Sequence, residues 1–158
     1  MRWIWIDKFV EFEPGKRAVA IKNVSLAEEH IHDHWEAYPI HPACLLIEGM
    51  AQTAGILVGQ ARDFREKVIL AKVTRAEFED VVTPGDQVTF EAAIESIAAE
   101  AAATRGTVLC NGQPLGRVDL MFSHIDQNLA GVEFPEENFV FTGQFERLVG
   151  PLLEPRNG

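Results

Sequence analysis

The sequence predicts an α+β domain in which a curved antiparallel β-sheet surrounds one long helix. The chain has 158 residues, a length typical of one domain with a single core. Residues 43–62 are almost all apolar or small, as expected of a helix that is buried on every side. Strand-like segments flank this run, two before it and four after it. Because a curved sheet can wrap such a helix, this order of elements predicts the fold class.

The strand-like segments are separated by residues that favour turns. Pro14-Gly15-Lys16, Thr83–Asp86 and Asn111-Gly112 are the expected turns. The capping-box spacing that begins at Ser25 predicts a short helix over residues 25–31, and residues 32–42 are expected to form an ordered loop. The predicted strands span residues 2–12, 17–24, 67–78, 87–97, 101–111 and 115–125.

The domain is expected to end before the C-terminus of the chain. Residues 1–126 contain all the predicted strands and helices, and residues 127–158 are expected to form an appendage. The appendage is rich in phenylalanine, with Phe134, Phe139, Phe141 and Phe145. We expect it to cover either the sheet of its own chain or a partner subunit.

Composition argues against several classes of function. Lys and Arg number 14 and Asp and Glu number 24, so the net charge is −10. Binding to nucleic acid or to an anionic membrane requires clustered cations, so this negative charge argues against both. The cysteines, Cys44 and Cys110, form neither a disulfide framework nor a zinc-binding pattern. The N-terminus is charged too early for a signal peptide, and no uninterrupted apolar run has membrane-spanning length. We therefore expect a cytoplasmic protein.

Glu48 is the first candidate for chemistry, because an unpaired carboxylate inside an apolar helix is costly. The i, i+4 spacing places Gln52 on the same face, and Gly55 and Gly59 continue the stripe. Such a stripe leaves room for a ligand along the helix. The alternative is a structural glutamate that is satisfied by Gln52 and the backbone.

The segment before the long helix contains His30, His32, His34 and His41. Together they form a candidate metal site, but the helical turn expected from Ser25 would break their common face, and singly such a histidine is more often a surface or hydrogen-bonded polar residue than a catalyst. The helix begins at Pro42-Ala43-Cys44, where free backbone N–H groups suit a carbonyl oxygen that gains negative charge. A histidine base and Glu48 as acid would complete a site for removing a proton next to that carbonyl. Cys44 is either a nucleophile or a small core residue.

Three segments, in order, resemble the 3-hydroxyacyl-(acyl-carrier-protein) dehydratases of fatty-acid synthesis, which have the hotdog fold. Residues 13–24 resemble the opening hairpin of that family. Residues 34–52 resemble the active-site loop and central helix, usually written HFPGxPxxPGVLxxEAxAQ. Residues 78–87 resemble the later FxxPVxPGDQ turn, and the likeness spans about residues 4–125.

The resemblance implies a role for each matching residue. His34 matches the catalytic histidine and Glu48 the catalytic acid, with the same 14-residue separation. Ala43 and Cys44 match the helix start whose N–H groups polarise the thioester carbonyl, and Gln52 matches a glutamine that supports the acid. In the family the histidine and the acid come from neighbouring subunits, which implies at least a homodimer and leaves a trimer of dimers open. The acyl chain would lie along the Gly55 and Gly59 stripe. The family's reaction implies no cofactor or metal.

The loop departs from the family pattern, with Asp33 and Ala43 at glycine positions and Trp35-Glu36-Ala37 in place of Phe-Pro-Gly. Two other functions therefore stay open. One is an acyl thioesterase of the same fold, which uses a helix carboxylate without a paired histidine. The other is a non-catalytic hotdog subunit that binds acyl chains.

A carrier protein that is acidic requires a basic surface on its partner. The stretch after the long helix has a net charge of +3 and is either a carrier-docking patch or a solvated basic segment. Its cations are Arg62, Arg65, Lys67, Lys72 and Arg75.

Overall fold

The computed structural model describes residues 3–32 and 38–125, together with residues 131, 143, 147 and 148. Among these residues it contains six strands and two helices in the predicted order. They are β1 (Lys8–Glu13), β2 (Arg17–Asn23), α1 (Glu29–His32), α2 (Ala43–Gln60), β3 (Val68–Phe78), β4 (Gln87–Ile97), β5 (Ala101–Cys110) and β6 (Gln113–His124).

The strands form one curved antiparallel sheet in the order β1-β2-β4-β5-β6-β3. Strands β1 and β3 are therefore the two edges of the sheet, and α2 packs across its inner face. This arrangement is the α+β class and the hotdog architecture that the sequence and the resemblance predicted.

The core lies between α2 and the inward side chains of the central strands. Met50 and Leu57 on the helix and Phe90 on β4 are all fully buried. Gly49 faces the Phe90 ring so closely that a Cβ atom there would lie 2.5 Å from the ring. The glycine therefore brings the helix into direct contact with the sheet.

Two predicted boundaries were wrong, each for a local reason. β1 begins at Lys8 and not at residue 2, because residues 3–6 pack against α2 outside the sheet. The short helix begins at Glu29 and not at Ser25. Residues 25–28 form the cap itself: the Ser25 hydroxyl accepts the Ala27 N–H at 3.2 Å, and the Glu28 carboxylate accepts the Ser25 N–H at 2.8 Å.

The expectation that α2 is buried on every side was also wrong. Ala43 and Cys44 are exposed, and Ile47, Glu48 and Gly55 are half-buried. The sheet curves around only part of the helix, so one face is left uncovered by this chain. α2 is long and apolar enough to cross a membrane by length and composition, but here its buried residues form the core of the domain.

The predicted appendage, residues 127–158, lies almost entirely outside the described residues, including its four phenylalanines. Leu148 is described, is half-buried and packs against the core cluster. At least this residue of the appendage therefore contacts its own domain.

Candidate active site

The N-terminus of α2 presents free backbone donors to the surface. Pro42 precedes the first helical residue and makes no side-chain capping bond to the helix. The first N–H groups of a helix have no partner within it, and Ala43 and Cys44 are exposed. The helix start therefore has the backbone donors and the dipole that a polarised carbonyl oxygen requires.

Glu48 lies one turn further along α2 and accepts two hydrogen bonds on a single oxygen. The Gln52 side-chain amide donates to Glu48 Oε1 at 2.9 Å, as the i, i+4 spacing predicted. The indole N–H of Trp3 donates to the same oxygen at 3.0 Å. The carboxylate is half-buried and its position is fixed from two directions.

Gln52 is itself held by the N-terminal segment. Its side-chain oxygen accepts the backbone N–H of Trp5 at 2.8 Å, and its amide also donates to the carbonyl oxygen of Trp3 at 3.1 Å. Because the oxygen is committed to a backbone donor, the NH₂ group must face Glu48. The amide orientation at this site is thereby determined by its contacts.

A histidine pair lies behind this network. His30 Nε2 and His41 Nδ1 are 3.1 Å apart, and the Trp5 ring packs edge-on against both imidazoles. His41 is 3% exposed, and its burial lowers the pKa of the imidazole to about 4. Its backbone N–H donates to the carbonyl oxygen of Val82 at 2.7 Å, which ties the segment before α2 to the rest of the domain.

The remaining predicted residues have mixed outcomes. His34 lies outside the described residues, so its relation to Glu48 stays a prediction. Gly55 is half-buried, and a Cβ there would lie 3.3 Å from the Phe122 ring of the same chain, so its place in an acyl-chain stripe stays a prediction. Gly59 is buried. Within the described part of the chain, no three metal-ligating side chains are grouped.

The predicted basic patch is less uniform than its sequence suggests. Lys67 is only 6% exposed and cannot present its charge to a partner. Arg62 donates to the carbonyl oxygen of Ala98 at 3.2 Å. Arg65 and Arg75 form ion pairs with neighbouring acids on their own segments. Lys72 is exposed, and the Arg65 side chain is 82% exposed against 43% for Arg75.

Sequence reasoning missed Trp3 and Trp5 as parts of this site. Trp3 and Trp5 were assigned to a strand on their β propensity, and nothing local indicates that an indole reaches a residue 45 positions away. His41 was considered only as a possible metal ligand, and its contact with His30 was not predicted.

Comparison with known proteins shows the family of this chain. Residues 3–116 match the family model described as the FabA-like domain. The 3-hydroxyacyl-[acyl-carrier-protein] dehydratase FabZ of Caldanaerobacter subterraneus is 36% identical over 76% of this chain and 86% of its own length. The FabZ of Halalkalibacterium halodurans is 33% identical over 77% of this chain and 87% of its own length. The chain therefore belongs to the FabA-like family.

Solved structures show the same fold at low sequence identity. The dehydratase heterocomplex ApeI:P of Xenorhabdus doucetiae superposes with a TM-score of 0.66 and 15% identity, over 81% of this chain and 90% of that one. The conserved protein PA5202 of Pseudomonas aeruginosa superposes with a TM-score of 0.60 and 13% identity, over 73% of this chain and 86% of that one. The predicted family and the hotdog fold are both confirmed.

Proposed function

We propose that this protein dehydrates (3R)-3-hydroxyacyl thioesters of acyl-carrier protein to trans-2-enoyl thioesters, in cytoplasmic fatty-acid or lipid biosynthesis. The observation that carries the proposal is the family match over residues 3–116, which includes both His34 and Glu48. Relatives that align over most of the chain are named as dehydratases of this substrate class.

In the proposed reaction, His34 removes a proton from C2 of the acyl chain. The electron pair forms the C2–C3 double bond, the C3–O bond breaks, and Glu48 delivers a proton so that the hydroxyl leaves as water. The backbone N–H groups at Ala43 and Cys44 stabilise the negative charge that develops on the thioester oxygen. Gln52 holds the acid in place.

We propose that His34 and Glu48 meet across a homodimer interface. Two surfaces of the described chain could receive a partner chain here: the face of α2 that carries Cys44, Ile47 and Glu48, and the longer of the two edge strands, β3. β3 has 11 residues and exposes Leu70 and Val73. A long apolar edge strand is a typical site of strand pairing between chains.

The test of the reaction is the hydration of crotonyl thioesters, followed as loss of enoyl absorbance. We expect His34→Ala and Glu48→Gln each to lower turnover at least about 100-fold, with folding and oligomer size unchanged. Thioester hydrolysis that survives His34→Ala would favour the thioesterase. Binding of acyl ligands without turnover on any chain length would favour the non-catalytic subunit.

Carrier docking is tested separately from chemistry. We propose that Arg65 and Lys72 contact the acidic carrier. Arg65→Glu should raise KM for the carrier-linked substrate and leave KM for the coenzyme A thioester unchanged, since Arg65 lies before β3 and outside the proposed interface. Lys8→Glu, an equal charge change on edge strand β1, is the matched control. An equal effect of both variants would contradict a local docking site.

A further inference from the structure

The hydrogen bonds at Glu48 distinguish its two oxygens. Oε1 accepts both the Trp3 indole N–H at 3.0 Å and the Gln52 amide at 2.9 Å. Within the described residues, no group donates to Oε2. The carboxyl group is therefore held by one oxygen, and the other oxygen is left for a different partner.

This asymmetry matters for an acid that must deliver a proton. A protonated carboxyl group has one carbonyl oxygen, which accepts hydrogen bonds, and one hydroxyl oxygen, which donates. An oxygen that already accepts two N–H groups is favoured as the carbonyl oxygen. The acid proton of Glu48 is then located on Oε2.

The two donors do not contribute in the same way. Gln52 is one helical turn from Glu48, so its bond follows from the helix itself. Trp3 belongs to the N-terminal segment and approaches from outside α2. Its ring packs edge-on against Trp5 at 5.5 Å, and its carbonyl oxygen is tied to Gln52. Trp3 therefore fixes Glu48 Oε1 from a direction that no residue of α2 itself provides.

We propose that Trp3 is a positioning residue for the dehydration: its indole N–H holds Oε1 of Glu48 so that Oε2 carries the proton delivered to the 3-hydroxyl group. The inference rests on the proposed catalytic role of Glu48. Trp3 is itself 60% exposed in the single chain, so its replacement removes a hydrogen bond without opening the core.

The experiment separates the N–H donor from the aromatic ring. Trp3→Phe keeps a ring against Trp5 but removes the donor, and Trp3→Leu removes both. We expect both variants to lower kcat by a similar factor, about 5- to 30-fold, with KM within about twofold of wild type, because the bond orients the acid and does not bind substrate. Wild-type kcat in Trp3→Phe with a loss only in Trp3→Leu would show a packing role and overturn the proposal.

A double-mutant cycle with Glu48→Gln tests whether Trp3 acts through the acid. In the Glu48→Gln background, Trp3→Phe should cause no further loss of the residual turnover. A further loss by the same factor would show that Trp3 acts elsewhere and would overturn the inference. Wild-type turnover in Glu48→Gln alone would instead contradict the proposed function, so the two failures are distinguishable.

Discussion

At the scale of single residues, the site divides into contacts that follow from local spacing and contacts that require the fold. The Glu48–Gln52 hydrogen bond joins residues one helical turn apart and was predicted from their spacing alone. The Trp3–Glu48 and His30–His41 contacts join separate segments of the chain. A single sequence carries no signal for such pairs, because they arise only when the N-terminal segment packs against α2.

His41 makes the stability of the protein sensitive to acid. Its pKa is about 4 in the folded chain, because burial and the neighbouring His30 disfavour the charged ring, against 6.5 for an ordinary histidine. The unfolded chain therefore binds more protons between these values, and the free energy of unfolding falls as the pH falls from about 6.5 to about 4. Glu28 opposes the shift and Lys22 adds to it.

The prediction is that this histidine accounts for about 2 kcal/mol of the stability lost between pH 7 and pH 5. His41→Asn keeps a polar side chain that does not titrate, and should lose correspondingly less stability over the same range. Urea unfolding at both pH values and one fixed protein concentration measures the difference. Equal losses in the variant and the wild type would mean that folding does not lower the pKa of His41.

At the scale of elements, the order of strands and helices was predictable because each has a strong local pattern. The apolar run of α2 identified the central helix, and the strand-like segments separated by turn residues identified the sheet. The uncovered face of α2 was not predictable, since the sequence does not distinguish an apolar side chain that faces solvent or a partner subunit from one that faces the core. The sequence also gives no signal that Phe122 of β6 lies beside Gly55, where a Cβ would be 3.3 Å from the ring.

Two glycines of α2 provide a matched test of helix–sheet packing. A Cβ at Gly49 would lie 2.5 Å from the fully buried Phe90 ring, whereas one at Gly55 would lie 3.3 Å from Phe122. Both alanine substitutions gain up to about 1 kcal/mol of helix propensity. Gly49→Ala should nevertheless destabilise the protein by about 1–2 kcal/mol through overpacking.

Gly55→Ala should change stability by less than about 0.5 kcal/mol in either direction, because the propensity gain offsets a milder contact. Thermal and urea unfolding of the two variants in parallel compare them directly. If Gly49→Ala were as stable as Gly55→Ala, the close approach of α2 to β4 would be wrong.

At the scale of the whole molecule, the sequence predicted a single domain and its architecture but not how chains associate. Strands β1 and β3 are both edges of the sheet, and both expose valine: Val10 is 42% and Val73 39% exposed. The edges differ in length, since β1 has 6 residues and β3 has 11. Only β3 combines this length with further exposed apolar side chains, Ile69 and Leu70.

We therefore predict that β3, and not β1, joins the two chains. Val73→Lys places a charge in the proposed interface and should convert dimers to monomers at micromolar concentration. Turnover should fall with the dimer fraction, because each proposed site takes His34 from one chain and Glu48 from the other. Val10→Lys makes the same change on the other edge and should leave both properties intact. Sedimentation and crotonyl thioester hydration are measured on the same samples. An active Val73→Lys monomer would place both catalytic residues in one chain. An intact Val73→Lys dimer would place the interface elsewhere.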